Sequence, residues 1–152
     1  MELPYFQAQV ATLQNLLDAT CDRRVCVVGT TCIGKSTLVK SLRGVSDLDE
    51  LLFPLLTREE QNYVCQKPWT PEIGHMMMHL AKERVALEPG NPVFGTVVLA
   101  SDYLIHLRIT DYLLQQRVVA RGKNYEDVKN MQAQIDTEVK QLKIPKIEFL
   151  VG

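Results

Sequence analysis

The sequence predicts a three-layer α/β/α domain built on a mostly parallel sheet, and three observations predict it. Short apolar runs at Arg24–Val28, Val93–Ala100 and Leu104–Ile109 read as buried parallel strands. Segments with helical spacing alternate with them, which calls for helices on both faces of the sheet. The first strand run leads straight into Gly29-Thr30-Thr31-Cys32-Ile33-Gly34-Lys35-Ser36, a glycine loop that opens a helix. In such sheets ligands sit at the carboxyl ends of the strands.

Each element has its own signal. Leu3–Leu17 places Val10, Leu13, Leu16 and Leu17 on one helical stripe, with Pro4 suited to a first turn. Ser36–Arg43 is the helix after the loop, closed by Gly44. Asp47–Glu50 sits where a second strand would end, and Leu51–Gln66 is helical in part around Arg58–Cys65. Pro68 and Pro71 break the pattern, and Thr70-Pro71-Glu72 starts a helix over Ile73–Leu87. Glu88-Pro89-Gly90-Asn91-Pro92 is a loop. Thr110 and Asp111 suit the cap of a helix over Tyr112–Ala120. Arg121-Gly122-Lys123-Asn124 interrupts before a long helix, Tyr125–Leu142, which Pro145 stops ahead of a last strand, Ile147–Val151. The gap between Ala100 and Leu104 is too short for a helical crossover. It is read either as one long bent strand or as a connection that crosses the sheet without a helix.

Composition narrows the classes. A chain of 152 residues, 46% hydrophobic and 23% charged, is an ordinary globular sequence and is read as a single domain, 1–152. No apolar run is long enough to span a bilayer, and no basic cluster precedes an apolar core at the start, so a cytoplasmic protein with no membrane partner is expected. Cys21, Cys26, Cys32 and Cys65 form no C-x-x-C pair and no zinc-like spacing, which suits reduced thiols in a reducing compartment. A net charge of −1 gives no footprint for nucleic acid, which leaves only a local patch for such a partner. Basic residues do gather late, at Arg108, Arg117, Arg121, Lys123 and Lys129.

The loop carries the chemistry. Gly29–Ser36 fills G-x-x-x-x-G-K-[ST] at every fixed position, in the strand–loop–helix context that distinguishes a phosphate cradle from a chance match. Glycines let the backbone fold tightly, so that successive amides, extending to Thr37, point at phosphate oxygens. Lys35 would reach the β- and γ-phosphates and the Ser36 hydroxyl would ligate Mg²⁺. A P-loop NTPase sheet binding ATP with Mg²⁺ follows as the expectation.

Transfer of a γ-phosphoryl group is mostly positioning and charge neutralisation, so metal ligands, cations and an acceptor-orienting group are sought. Asp47 and Asp49 form an Asp-x-Asp whose carboxylates would share one side of an extended segment. One would serve Mg²⁺, the other the proton of an attacking hydroxyl. Asp102, after the run Val97–Ala100, is a loose strand-end metal ligand alongside Ser36 and Asp49. Arg117 and Arg121 are i, i+4 before Gly122-Lys123 and read as a small lid over 117–124 that brings charge to the transferring group. His75 and His79 are i, i+4 without the intervening Glu of a zinc protease, and packing is the reading there. Met76–Met78 are core filling or the lining of an acceptor pocket, and Trp69 and Tyr63 are core aromatics or a stack for a base.

Together these parts resemble the P-loop kinases of the nucleoside and nucleotide kinase superfamily, in the same order along the chain. The span Ile105–Glu138 is most similar to the dephospho-coenzyme A kinase branch, through Ile105-His106-Leu107-Arg108-Ile109, Arg117-Val118-Val119-Ala120-Arg121-Gly122 and Met131-Gln132-Ala133-Gln134. Asp47-Leu48-Asp49 resembles the shikimate kinase pattern instead. The resemblance implies an ATP-dependent, Mg²⁺-dependent kinase that phosphorylates a small-molecule acceptor, a nucleoside, nucleotide or related metabolite. Its catalytic set would be Lys35, Asp47, Asp49, Arg117 and Arg121. In many such kinases the loop after the last strand contacts adenine, and here the chain ends near that strand. The acceptor-binding insert is reduced to Leu51–Glu88 at most, which favours a small acceptor, or one that remains largely outside the pocket. The alternative is a P-loop ATPase coupled to a protein or nucleic-acid partner, although no guanine-reading N-K-x-D and no clear switch region is present.

Overall fold

The fold is built around β1 (Val25–Val28), whose four residues are all buried. The computed structural model describes residues 3–66 and 70–152. Around β1 lie β2 (Ser46–Asp47), β3 (Val93–Gly95), β4 (Tyr103–Arg108) and β5 (Lys146–Leu150). All strand pairs among the described residues are parallel, in the order β2-β3-β1-β4-β5.

Helices cover both faces, as the alternation of strands and helices predicts. They are α1 (Leu3–Ala19), α2 (Lys35–Ser41), α3 (Leu48–Leu52), α4 (Arg58–Val64), α5 (Pro71–Arg84), α6 (Asp111–Ala120) and α7 (Tyr125–Gln141). Side chains alternate across each strand, so Val25 and Val27 with Ile105 and Leu107 face α1, α2 and α6 through Leu13, Leu38 and Leu114. Cys26 and Val28 with Leu104 face α3, α5 and α7 through Leu48, Leu80 and Ile135. Each such fully buried aliphatic side chain contributes about 1.5–3 kcal/mol, so the central strands hold the layers together.

Local chemistry sets the helix starts. Thr57 and Glu60 form a reciprocal capping box on α4. Thr70 caps α5 with Pro71 at its first position, Thr110 caps α6, and Asn124 caps α7 through the Asp127 amide at 3.0 Å. An Arg84 fork on Glu60 (Nη2 to Oε2, 2.7 Å) ties α5 to α4. The Arg84 guanidinium and the Thr57 amide hold the Glu60 carboxyl down at about 2.

The largest departure from the sequence reading is the length of β3; its connection to β4 crosses the sheet without a helix, the second of the two alternatives read from the short gap. The run Val93–Ala100 is a strand only over Val93–Gly95, and residues 96–102 then return along the sheet without a helix. Gly95 pairs with Val28 at the top of β1 and Tyr103 with Val25 at its foot, so the return covers only the height of β1, about 10 Å. A few extended residues span that distance. Val98 and Leu99 are buried in the second core, and the Cys26 thiol donates to the Val97 carbonyl at 3.6 Å. Burial pushes that thiol up to about 11, which leaves it unreactive.

This path also corrects the reading of Asp102. It sits at the foot of β4, where its carboxylate accepts a fork from Arg24 (Nη2 to Oδ1, 2.9 Å; Nε to Oδ2, 3.1 Å) and the Arg24 amide at 3.0 Å. Those bonds lower its carboxyl to about 2. The glycine loop begins at the other end of β1, so Asp102 is no metal ligand of the loop but a clasp across the amino ends of β1 and β4.

Close approach at Gly95 joins the sheet to the site. A Cβ there would lie 2.8 Å from Leu48 Cβ and Cδ2, at the start of α3. Gly95→Ala is therefore expected to lower stability by about 1–3 kcal/mol in urea titration, as overpacking does. An unchanged midpoint would contradict the packing described.

Candidate phosphate-binding and transfer site

The loop between β1 and α2 is shaped by backbone conformation and held from three sides. Gly34 has φ 99° and Cys32 φ 69°, both left-handed, a conformation that Gly accepts freely and Cys accepts only under constraint. Gly29 leaves no room for a side chain, since a Cβ would lie 3.0 Å from Leu107 Cβ. Its amide donates to the Gly95 carbonyl at 3.1 Å. The buried Thr30 hydroxyl donates to the Val128 carbonyl at 3.2 Å, which anchors the loop to α7. From α6, Arg117 Nη1 donates to the Ile33 carbonyl at 2.8 Å.

Lys35 folds back over the loop. Its Nζ donates to the carbonyls of Gly29 (2.9 Å) and Thr30 (2.7 Å). Burial lowers its ammonium from 10.5 to about 8, against the pull of Asp49 and Asp47. Asp47 ends β2 and caps α3, its Oδ1 accepting the Asp49 amide at 2.9 Å. The two acids therefore meet at a strand–helix junction and not along an extended segment. Partial withdrawal from water raises the Asp49 carboxyl, the charge of Asp47 raises it further, and Lys35 opposes both.

Three clefts meet at the loop. A central one of about 130 Å³ is lined by Lys35, Ser36, Asp47, Asp49, Thr96 and Arg121, with Thr31, Cys32 and Gly34 of the loop. To one side lies a cleft of about 630 Å³ between Ile33, Thr37 and Arg117 and the helix α1, through Tyr5, Phe6 and Gln9, with Val151 and Gly152 as its floor. On the other side a cleft of about 510 Å³ runs from Thr31 and Asp49 over Met77, Met78 and Met131 to Lys123 and Asp127. Cys32, Gly34 and Arg121 line both the central cleft and the one beside α1, and Thr31, Asp49 and Thr96 line both the central cleft and the methionine-lined one. The three are one groove with the phosphate loop at its middle.

Most of the residues singled out in the sequence come together here. Lys35, Ser36, Asp47, Asp49 and Arg121 share the central cleft; Thr37 and Arg117 face the first side cleft. Gly29 and Thr30 support the loop from behind. His75 and His79 do not pack into the core: both are exposed, and His79 lies 3.3 Å from Glu83 on the same helix. Tyr63 is half-buried against the second core, Met76 is exposed, and Trp69 and Pro68 lie outside the described residues. Of the late basic residues, Arg108 is bound to Asp136 (2.7 Å) and Lys129 to Asp111 (2.7 Å), away from the groove.

Sequence reasoning missed Thr96 and the α1 wall. Taking β3 as far as Ala100 moved its carboxyl end off Gly95-Thr96. Tyr5 and Gln9 are i, i+4 on α1, a pairing that was available, but the apolar stripe of that helix drew attention to its buried side.

The central donor set suits Mg²⁺. Ser36, Asp47 and Asp49 offer oxygen ligands, and Mg²⁺ is held by one or two carboxylates together with substrate phosphates and water. No group of three or more His, Cys, Asp or Glu side chains among the described residues forms a closed cage.

No family model matches this chain, and no curated protein does. Among solved structures it is similar to a deoxyadenosine kinase from M. mycoides with dCMP and a flexible dCDP bound, at 18% identity and a TM-score of 0.49 over 84% of this chain and 88% of that one. The architecture is that of a P-loop NTPase-type α/β/α fold, with an all-parallel sheet and the glycine loop at the carboxyl end of its central strand. No helix among the described residues is long and apolar enough to cross a membrane.

Two outcomes are expected. Asp102→Asn should lower the melting temperature yet leave Mg²⁺–ATP affinity within about twofold, whereas Asp47→Asn, which keeps an oxygen for the α3 cap, should weaken it about tenfold, the scale of a lost charge-assisted contact; calorimetric titration compares them, and the reverse order would restore Asp102 to the metal. Lys35 also sets a pH window. Its ammonium, the form that holds phosphate, is lost as pH rises through about 8, while the unfolded chain keeps it to 10.5. The empty fold therefore gains relative stability between those values as nucleotide affinity falls. Affinity should drop by up to about tenfold per pH unit above 8, and Lys35→Met should remove that dependence.

Proposed function

We propose that this chain is a Mg²⁺-dependent phosphotransferase that moves the γ-phosphoryl group of ATP to a small-molecule acceptor, a nucleoside, nucleotide or related metabolite. One observation carries the reading: a phosphate loop lies between two separate organic-sized clefts that both open onto it. An NTP-hydrolysing protein needs one such cleft; a group-transfer enzyme needs two.

In this reading the donor base lies in the cleft walled by Tyr5, Phe6 and Gln9. Gln9 holds the floor of that cleft in place, donating to the Leu150 carbonyl at 3.2 Å. The triphosphate runs over the loop amides from Thr31 to Thr37, since the Gly29 amide is bound to the Gly95 carbonyl. Lys35 leaves the loop carbonyls and meets the β- and γ-oxygens. Ser36 and Asp47 would hold Mg²⁺, because Asp47 faces the central cleft alone, while Asp49 faces both it and the acceptor cleft. Mg²⁺ would neutralise charge on the β- and γ-phosphates.

Asp49 orients the acceptor hydroxyl. As the new P–O bond forms and the bond from the γ-phosphorus to the bridging oxygen breaks, the hydroxyl proton passes to the Asp49 carboxylate or to the phosphoryl oxygens, and ADP leaves. A carboxyl raised above its usual range is the better base for this step. Arg117 and Arg121, at the end of α6, place positive charge along the transferring group, with 117–124 as a lid hinged at Gly122 (φ 64°). The free thiol of Cys32 inside the loop suits a reducing, cytoplasmic setting.

The test is transfer of labelled γ-phosphate from ATP to a panel of nucleosides, nucleotides and coenzyme precursors, with Lys35→Ala beside the wild type. Acceptor-dependent product that falls at least about 100-fold in the variant is expected, given the charge that Lys35 supplies to the transition state. Phosphate release that ignores every acceptor would overturn the kinase reading in favour of an ATPase.

A further inference from the structure

The acceptor cleft has a charge pattern that narrows the substrate, an inference that rests on the kinase reading above. Its floor is apolar and adaptable: Met77 and Met78 on α5, Met131 on α7, and Leu52 at the end of α3. Methionine side chains follow the outline of a flat ring and make favourable sulfur–aromatic contacts. Polar groups converge at the two ends. Asp49 and Thr31 stand at the loop end; Asp127, Asn124 and Lys123 stand at the start of α7.

The balance is two carboxylates against one ammonium, with Lys123 and Asp127 both exposed. A phosphate ester carries close to two negative charges at neutral pH and is normally gripped by arginine forks or several cations. None of the described residues lining this cleft is an arginine. Two cations of α5, the helix that carries Met77 and Met78, are committed elsewhere: Arg84 to Glu60, and Lys82 to Glu138 at 2.9 Å. Arg121 belongs to the central cleft beside Lys35, where the transferring phosphoryl needs it. A phosphorylated acceptor would lay its dianion near Asp49 and Asp127 with one solvated lysine to offset them. An uncharged acceptor meets no such cost, and its N–H and O–H groups find oxygen acceptors in both acids.

We propose that the acceptor is an uncharged, hydroxyl-bearing molecule with a flat apolar body, of the nucleoside type and not a nucleoside phosphate, and that Asp127 enforces that choice. Asp127 lies in the first turn of α7, and its own contribution to the helix cap is its backbone amide, which donates to Asn124 Oδ1. Its carboxylate can therefore be exchanged without removing the cap. Thr30 Oγ1 bonding to the Val128 carbonyl fixes this turn against the loop, so the distance from Asp127 to the transferring phosphoryl is set by the fold.

The experiment compares four nucleosides with their 5′-monophosphates as acceptors, by kcat/KM with ATP and by calorimetric binding to protein saturated with a non-hydrolysable ATP analogue and Mg²⁺. Saturation keeps the probes out of the donor cleft, and binding gives a readout even if no product forms. Expected is a preference for at least one nucleoside over its monophosphate of about tenfold or more, the scale of like-charge repulsion at an exposed carboxylate. In Asp127→Arg that ratio should shrink by about tenfold or more, while affinity for ATP stays within twofold; Asp127→Asn should fall between the two. Tighter binding of the monophosphates, an unchanged ratio in Asp127→Arg, or binding of neither class would each overturn the inference. Transfer failing while nucleosides still bind selectively would instead count against the kinase reading and leave the charge selection standing.

Discussion

The backbone shape of the loop from Gly29 to Ser36 is the constraint on which the rest depends. Two left-handed residues, Cys32 and Gly34, turn the chain so that its carbonyls converge on one side, where the Lys35 ammonium gathers those of Gly29 and Thr30. A non-glycine residue in that conformation persists only when its surroundings over-determine it. Here they do: Leu107 behind Gly29, Arg117 on the Ile33 carbonyl and Val128 on the Thr30 hydroxyl each hold one part of the loop. The first two of these supports reach the loop from β4 and α6, the last from α7. Loop geometry and tertiary packing are thus one structure.

From that constraint the groove follows. β1 delivers the loop to the carboxyl end of the sheet, and the short β3 brings Gly95 and Thr96 beside it. Leu48 against Gly95 seats α3 and so fixes Asp49 between the central and methionine-lined clefts. On the other side α1 packs on the same core as α2 and α6, and Tyr5, Phe6 and Gln9 become the wall of the cleft beside it. Charge is concentrated to match: Lys35 and Arg121 share the centre with Asp47 and Asp49, and apolar surface lies beyond. Phosphoryl transfer asks for that ordering, since the barrier is lowered mainly by position and by neutralising the phosphate oxygens.

The sequence carried the α/β/α architecture, the loop and the gathering of Lys35, Ser36, Asp47, Asp49, Arg117 and Arg121 because these rest on local signals: periodicity, caps and a motif with fixed spacing. What it did not carry was tertiary. Nothing in Val93–Ala100 announces that the strand stops at Gly95, since Val97, Val98 and Leu99 are as apolar as a strand and are buried all the same, as a return segment. The misplaced role of Asp102 followed from that one boundary, for a residue just past a strand and one just before the next lie at opposite ends of a parallel sheet. The α1 wall was hidden for a different reason: a helix's exposed residues acquire a function only through what lies across from them. His75 and His79 show the converse, a suggestive spacing that the fold turns toward solvent.

The most direct measurement is a crystal structure with Mg²⁺ and a non-hydrolysable ATP analogue. This account predicts the triphosphate on the loop amides, the base against α1, and Lys35 Nζ moved from the Gly29 and Thr30 carbonyls onto β- and γ-phosphate oxygens. A nucleotide bound while Lys35 keeps both carbonyls, or with its base in the methionine-lined cleft, would contradict it.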